Sequence, residues 1–232
     1  MKCMGTLVVL LGLVVATARA EDFWEKPHDS WAQSDVLKML EDSPWSGKVT
    51  ITDERAGLGD ADTAGETELA HSYTVRLFTA LPVRQAYVRM FQLMNRYDAM
   101  APAEKAEFDG NFAPALREFP DEVIVNLDFE TNDRQTALEV DRRLKQSTAA
   151  QLRQSAYLVS DRLGRIELTD YFPPAPDGTG AKFVYPRIVD GQPIVGPEDL
   201  EVKFELWVPG TGHRVHQVWR VARLMLDDRP AF

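Results

Sequence analysis

The sequence predicts an α+β fold, a largely antiparallel sheet with three to four helices in a single domain. Three observations predict it. Segments of alternating polarity come in neighbouring pairs joined by turn residues, as hairpins do. Extended and helical segments follow in the order strand, strand, helix, helix, strand, helix, then several strands, which is not the βαβ alternation of a parallel sheet. The 232 residues, 44% of them hydrophobic, suffice for one core.

The first residues carry Lys2, an apolar run from Thr6 to Val15, the small-residue triplet Ala18-Arg19-Ala20 and then Glu21-Asp22. This is the order of a secretory signal peptide, and the run is too short for an anchor, which needs about 20 residues. Residues 1–20 are therefore expected to be a signal peptide and 21–232 a soluble exported domain, periplasmic or secreted. The single cysteine, Cys3, falls in the signal, so neither a disulfide nor a thiolate metal site is expected in the mature domain. The net charge of −10 becomes −12 once Lys2 and Arg19 are removed. A field of that sign repels phosphate backbones and makes nucleic acid and anionic lipid surfaces poor partners. No second apolar run of spanning length follows, so no transmembrane segment is expected in the mature chain.

Phe23 to Val49 is the most distinctive stretch and holds Trp24, Trp31 and Trp45. Within it Ser34 is a good N-cap and Asp35 suits a first helical turn. Val36, Leu37, Met39 and Leu40 then form a two-turn apolar stripe, ended by Ser43-Pro44. Lys48 to Thr52 alternates as a strand with Val49 and Ile51 on one face. Asp53 to Glu68 reads as a long acidic loop carrying Asp53, Glu54, Asp60, Asp62, Glu66 and Glu68. Leu69 to Thr79 resumes as a strand with Leu69, His71, Tyr73, Val75 and Leu77 on one face.

Pro82 opens a helix to about Tyr97, with Val83, Ala86, Tyr87, Met90, Met94 and Tyr97 at three- and four-residue steps. A weaker helix begins near Pro102, and Val123 to Phe129 alternates as a strand. Asn132 to about Arg153 reads as one helix, supported by Glu139/Arg143 and Asp141/Lys145 in the acid-first i,i+4 order. Ala156–Ser160 and Arg165–Thr169 form a hairpin about Asp161 to Gly164. Tyr171-Phe172-Pro173-Pro174 is expected to break the sheet, Lys182–Tyr185 to resume it, and Asp190-Gly191 to make a tight turn.

The last hairpin permits a register. If Pro209 to Gly212 is a four-residue loop, Val208 faces His213. Val202/Trp219, Phe204/Gln217 and Leu206/Val215 then share one face. Trp207/Arg214, Glu205/His216, Lys203/Val218 and Glu201/Arg220 share the other. A one-residue slip destroys both sets.

Candidate chemistry is sparse. His213-x-x-His216 has helical metal spacing but sits on an expected strand, where i and i+3 face apart. His216 is expected to pair with Glu205, His71 to be a core histidine with one hydrogen bond, and His28-Asp29 to be a turn pair. Asp60-x-Asp62-x-x-Gly65 opens like a calcium loop, but Ala64 stands where a ligand belongs and His71 where the bidentate glutamate belongs. G-x-S-x-G, S-x-x-K, H-E-x-x-H and P-loop strings are absent. No catalytic residue, metal ligand or cofactor is assigned. Trp24 and Trp31 are candidates for an aromatic platform for sugar rings or peptide, and Tyr171 and Phe172 for an exposed ridge; packing is the competing role for all four.

The phrases FWEKPHDSW…LEDSPW, YTVRLFTALPVRQAYVRM and YLVSDRLGRIELTDYFPP resemble a group of exported bacterial proteins of unknown function, some described as GWxTD-domain proteins. The G-W-x-T-D string itself is absent, with Trp31-Ala32-Gln33-Ser34-Asp35 its nearest echo. The resemblance implies export and brings no active-site residues. The expectation is thus a non-catalytic binding or structural module of the cell envelope, whose partner is a protein or an envelope polymer. The alternative is a hydrolase whose carboxylates converge from separate strands. A third reading has the acidic loop capture a cation.

Overall fold

In the computed structural model, residues 22–55, 67–175, 178–226 and 229–232 are described. The expected signal peptide with Cys3, and Asp60, Asp62 and Glu66 of the expected acidic loop, lie outside them. Helix α1 spans Gln33–Glu41, and β1 (Ser46–Arg55) and β2 (Thr67–Leu77) follow. Next come α2 (Leu81–Met94), α3 (Pro102–Phe112), β3 (Glu122–Thr131), α4 (Arg134–Gln146) and the one-turn α5 (Ala149–Leu152). The remainder is β4 (Ala156–Ser160), β5 (Gly164–Glu167), β6 (Asp170–Phe172), β7 (Ala181–Pro186), β8 (Ile188–Val189), β9 (Gln192–Pro193), β10 (Glu201–Trp207), β11 (Arg214–Arg220), β12 (Met225–Leu226) and β13 (Arg229–Pro230).

Every strand pair is antiparallel. One sheet runs β1-β2-β3-β7-β6 and a second β11-β10-β4-β5, with β8-β9 and β12-β13 as short ribbons. Both sheets contribute to one hydrophobic core, so this is a single α+β domain. Among the described residues no helix is long and apolar enough to cross a membrane.

Pleating decides which residues meet. The odd-numbered residues in the middle of β2, β3 and β7, among them Tyr73, Val75, Val125, Leu127 and Phe183, are buried. The Phe183 ring lies 5.4 Å from that of Phe204 on β10, so this face packs on the second sheet. The opposite face carries polar residues that are satisfied internally, as burial demands. Arg76 donates to Asp128, to Asn126 Oδ1 and to the Leu40 carbonyl of α1, tying helix to sheet.

The final hairpin pairs residue for residue as its sequence predicts, from Glu201↔Arg220 through Glu205↔His216 to Trp207↔Arg214. The Arg214 guanidinium lies 5.7 Å from the Trp207 ring centroid. Asp190 and Gly191 both take positive φ, 51° and 76°, as a tight hairpin turn requires.

Elsewhere the structure corrects the sequence reading. Ser34 lies inside α1; the residue before the helix is Ala32, whose N–H donates to the Asp35 carboxylate at 2.9 Å. Helix α2 ends at Met94 because Arg96 turns left-handed, φ 55°, which takes Tyr97 off its stripe. The single helix expected over 132–153 is two, because Ser147 and Thr148 are extended and Thr148 accepts the Gln151 N–H as a new cap. That break gives five α-helices among the described residues, the fifth a single turn. Leu138, placed on the apolar stripe, is exposed, while the Glu139–Arg143 and Asp141–Lys145 pairs form at 2.7 and 2.9 Å. Tyr171 and Phe172 do not break the sheet: they form β6 against β7.

The largest correction concerns the acidic segment. Strand β1 continues through Asp53 and Glu54, paired with Leu69 and Glu68 of β2. The Asp53 carboxylate is tolerated there because β1 is an edge strand, where one side of the backbone ladder faces water. Residues 56–66 lie outside the described residues.

Candidate functional site

The extension of β1 creates the site. Asp53 pairs with Leu69 and Ile51 with His71, so the Asp53 carboxylate stands diagonal to His71 on the face toward the second sheet. Strand β3 places Thr131 directly opposite His71. His213 arrives from the other sheet at the end of the β10–β11 loop. That loop is fixed by Val208 N–H donating to the His213 carbonyl at 3.0 Å, and by His213 N–H donating to Thr211 Oγ1 at 3.1 Å. Gly210 bends it at φ 79°, its backbone against the Arg143 side chain.

The result is a convergent cluster. His213 Nε2 lies 2.8 Å from Asp53 Oδ2, and His71 Nε2 lies 3.5 Å from the same oxygen. The ring centroids are 4.7 Å apart. Each imidazole is held from behind: His71 Nδ1 is 2.9 Å from Thr131 Oγ1, and His213 Nδ1 is 2.6 Å from Tyr73 Oη. Thr131 Oγ1 also accepts the Asp133 N–H at 3.1 Å. Phe129 floors the site, stacked on Tyr73 at 4.7 Å and on His71 at 6.3 Å.

Electrostatics favour the neutral form of the deepest ring, His71. His71 is 1% exposed; burial, with His213 beside it, lowers its pKa below the usual 6.5, while Asp53 opposes this. Burial likewise pushes the Tyr73 phenol up, so it stays a hydrogen-bonding hydroxyl. Asp53 itself is half exposed and opens onto a pocket of about 300 Å³ lined also by Gln135, Thr136, Glu139 and Thr211. Glu139 is held ionised by its hydrogen bonds to Arg142 and Arg143.

One donor atom from each of Asp53, His71 and His213 lies within 4.8 Å of the others. Around an ion with bonds of about 2.0 Å, tetrahedral ligands stand about 3.3 Å apart. The separations from Asp53 of 2.8 and 3.5 Å bracket that value. Two histidines and one carboxylate are a donor set for zinc and its first-row neighbours, and both rings have the rear hydrogen bond that orients a metal-ligating imidazole.

Sequence reasoning assigns no metal ligand and so misses this cluster. His213 and His216 do face apart, the latter bonding Glu205 at 2.5 Å; His213 finds its partners on the other sheet. His71 does have its one hydrogen bond, to Thr131, but its second nitrogen faces Asp53 and His213. The available signal was the β1–β2 register: continuing the Val49↔Tyr73 pairing outward brings Asp53 beside His71.

The aromatic candidates lie elsewhere. Trp31 is 1% exposed and Tyr171 7%, so the Trp31 ring is not open as a platform nor the Tyr171 ring as a ridge. The Trp31 Nε1–H donates to the Lys26 carbonyl, and Arg89 Nε donates to the Trp31 carbonyl. Tyr171 Oη donates to the Leu144 carbonyl at 2.9 Å. Trp24 is half-buried, edge-on to Phe23 at 5.0 Å and to Trp45 at 5.7 Å. Phe172, 52% exposed, is the one of the four with a largely open ring.

Fold and site define an α+β protein whose two sheets meet at a two-histidine, one-carboxylate cluster. Comparison with protein-family models, curated proteins and solved structures gives no match.

Proposed function

We propose that this chain is an exported protein that holds one divalent transition-metal ion between Asp53, His71 and His213. One observation carries the reading: both imidazole Nε2 atoms converge on a single carboxylate oxygen, while each Nδ1 is engaged by a hydroxyl. When Nδ1 carries the ring proton and donates it to that hydroxyl, Nε2 presents a lone pair toward a carboxylate oxygen. Two lone pairs and an anion facing one point are stabilised by a cation there. Two imidazole donors favour Zn²⁺, Co²⁺, Ni²⁺ or Cu²⁺ over Ca²⁺ and Mg²⁺, which take oxygen ligands. Export is supported by the signal-like residues 1–20 and by the resemblance described above. A binding or structural role in the envelope accords with three ligands drawn from two sheets.

A second reading, a hydrolase, is favoured by the ligand count. Three protein ligands would leave a position for water, as catalytic zinc sites do, and Asp53, His71 and His213 line the same pocket as Glu139.

Equilibrium dialysis of metal-stripped protein against Zn²⁺ tests the proposal, with Co²⁺ absorption reporting coordination. One equivalent is expected, competed by Co²⁺ with the intense visible bands of a four-coordinate site. The double variant His71→Ala/His213→Ala is expected to bind none. Stoichiometric binding that survives in that variant, or no binding to the wild type, overturns the reading.

A further inference from the structure

Gly210 of the β10–β11 loop lines two cavities, the one at Asp53 and a second of about 510 Å³, within the range of small-molecule sites. The second is walled by the C-terminal end of α4, by α5 and by Trp207. Of the five tryptophans Trp207 alone is exposed, at 50%. In the sheet order β11-β10-β4-β5, Arg214 stands on its β11 side, 5.7 Å from the ring centroid. The cavity residues Leu152 and Ser155 lead into β4 on its other side. The indole thus has a cation at one flank and the cavity at the other.

The polar groups around the ring offer hydrogen bonds of both senses. Gln151 Oε1 accepts the Thr148 N–H at 2.9 Å and the Thr148 hydroxyl at 3.1 Å, which orients the amide, and its Nε2 has no partner among the described residues. Arg143 donates through Nε to Glu139 at 2.7 Å, and its two Nη groups are likewise without partners among the described residues. The Ser147 and Ser155 hydroxyls donate to the Arg143 and Leu152 carbonyls at 2.8 and 3.2 Å, so each keeps lone pairs with which to accept. Arg143 and Arg214 are each ion-paired already, to Glu139 and Glu205, so charge gives no call for an ion. A sugar ring meets this chemistry. A pyranose with equatorial substituents has a flat C–H face that can lie on an indole, and a rim of hydroxyls that each donate and accept. Partners already held by their own hydrogen bonds lose little freedom on binding it.

We propose that this cavity binds a gluco-configured oligosaccharide, with one pyranose ring on the Trp207 indole and its hydroxyls bonded to Arg143, Gln151 and the two serines. The proposal is independent of the metal reading, and EDTA throughout its test keeps the two apart. Isotope-labelled protein is titrated with cellotetraose while the tryptophan indole N–H signals are followed by NMR. Sorbitol, which has hydroxyls and no ring face, is the control. A saturable shift is expected at the Trp207 indole, the signal missing from Trp207→Phe, and sorbitol is expected to produce none. By calorimetry Trp207→Ala is expected to weaken cellotetraose binding at least tenfold, Trp207→Phe, which keeps an aromatic ring, distinctly less, and Gln151→Ala at least threefold. Should a variant fail to fold, the wild-type shifts, with the Trp207 indole assigned directly, decide alone. No saturable shift of that indole with cellotetraose, or an equal shift with sorbitol, overturns the proposal; so does a folded Trp207→Ala protein with undiminished affinity.

Discussion

Asp53 and His213 are 160 residues apart in the chain and 2.8 Å apart in space, and their contact joins the edge strand of one sheet to the end of a hairpin loop of the other. An ion bound there cross-links the two sheets in the folded state only. Zn²⁺ at one hundred times its dissociation constant is then expected to stabilise the fold by about 2.7 kcal/mol, a rise in Tm of roughly 5–10 °C for a domain of this size. Asp53→Asn is expected to remove most of that rise while changing the Tm in EDTA little, because Asp53 is half exposed. Scanning calorimetry of both proteins with Zn²⁺ and with EDTA makes the comparison; an identical zinc-dependent rise in the variant counts against Asp53 as a ligand.

A glycine fixes the approach to β7. Gly180 has φ 72°, and a Cβ on it would stand 2.3 Å from the Leu127 carbonyl oxygen of β3. That oxygen belongs to backbone in a paired strand, so it cannot rotate away. Gly180→Ala is expected to destabilise by about 2 kcal/mol or more, combining left-handed strain with overpacking. Gly191, also at positive φ, has open space where its Cβ would go, so Gly191→Ala bears the strain alone and is expected to cost less. Urea melts of the two variants rank them.

The same contrast between local and non-local geometry explains what the sequence could disclose. The β10–β11 register was legible because loop, alternation and complementary pairs all act within twenty residues and agree. The metal cluster was not. His71 sits among apolar neighbours and reads as core, Asp53 sits among acids and reads as loop, and His213 belongs to another sheet. Only the packing of sheet on sheet, set by Phe183 against Phe204 and their neighbours, brings the three together. Helix ends failed for a smaller reason: Arg96 and Ser147 adopt conformations that neither residue type announces.

Trp31 tests the structural role of the N-terminal stretch. It is buried edge-on to Phe23 at 5.5 Å, and its carbonyl holds Arg89 of α2. Trp31→Ala is expected to destabilise by about 3–5 kcal/mol, as large-to-small changes in a packed core do. Trp24→Ala, at a half-buried ring, is expected to cost distinctly less. Chemical denaturation followed by circular dichroism gives both values; equal and small losses would mean that the lead-in is not packed as described.

Between β10 and β11, Glu205 is buried and receives both His216 Nδ1 at 2.5 Å and Arg214 Nε at 2.9 Å. Both partners are themselves exposed, so each single interaction is worth about 1 kcal/mol or less. Removing the acid is different, since it strips both partners at once. A double-mutant cycle on Glu205→Gln and His216→Gln is expected to give a coupling of roughly 0.5–1 kcal/mol, with the Glu205 single variant the more destabilised. A coupling of zero would leave the observed register without energetic support from this pair.

His28 supplies a pH dependence away from both proposed sites. Burial lowers its pKa below 6.5, and Arg89 adds to this, while Asp29 and Asp109 act in the opposite direction. A lowered folded-state pKa means that the unfolded chain takes up the proton first. The stability attached to neutral His28 is therefore fully present above about pH 6.5 and lost as pH falls through the folded pKa. His28→Gln removes the titrating group, so the variant's stability is expected to fall less than the wild type's between pH 7 and pH 5. NMR titration of the His28 ring should place its midpoint below that of a free histidine. A midpoint at or above 6.5 would show that Asp29 and Asp109 outweigh the burial, and would reverse the sign of the slope.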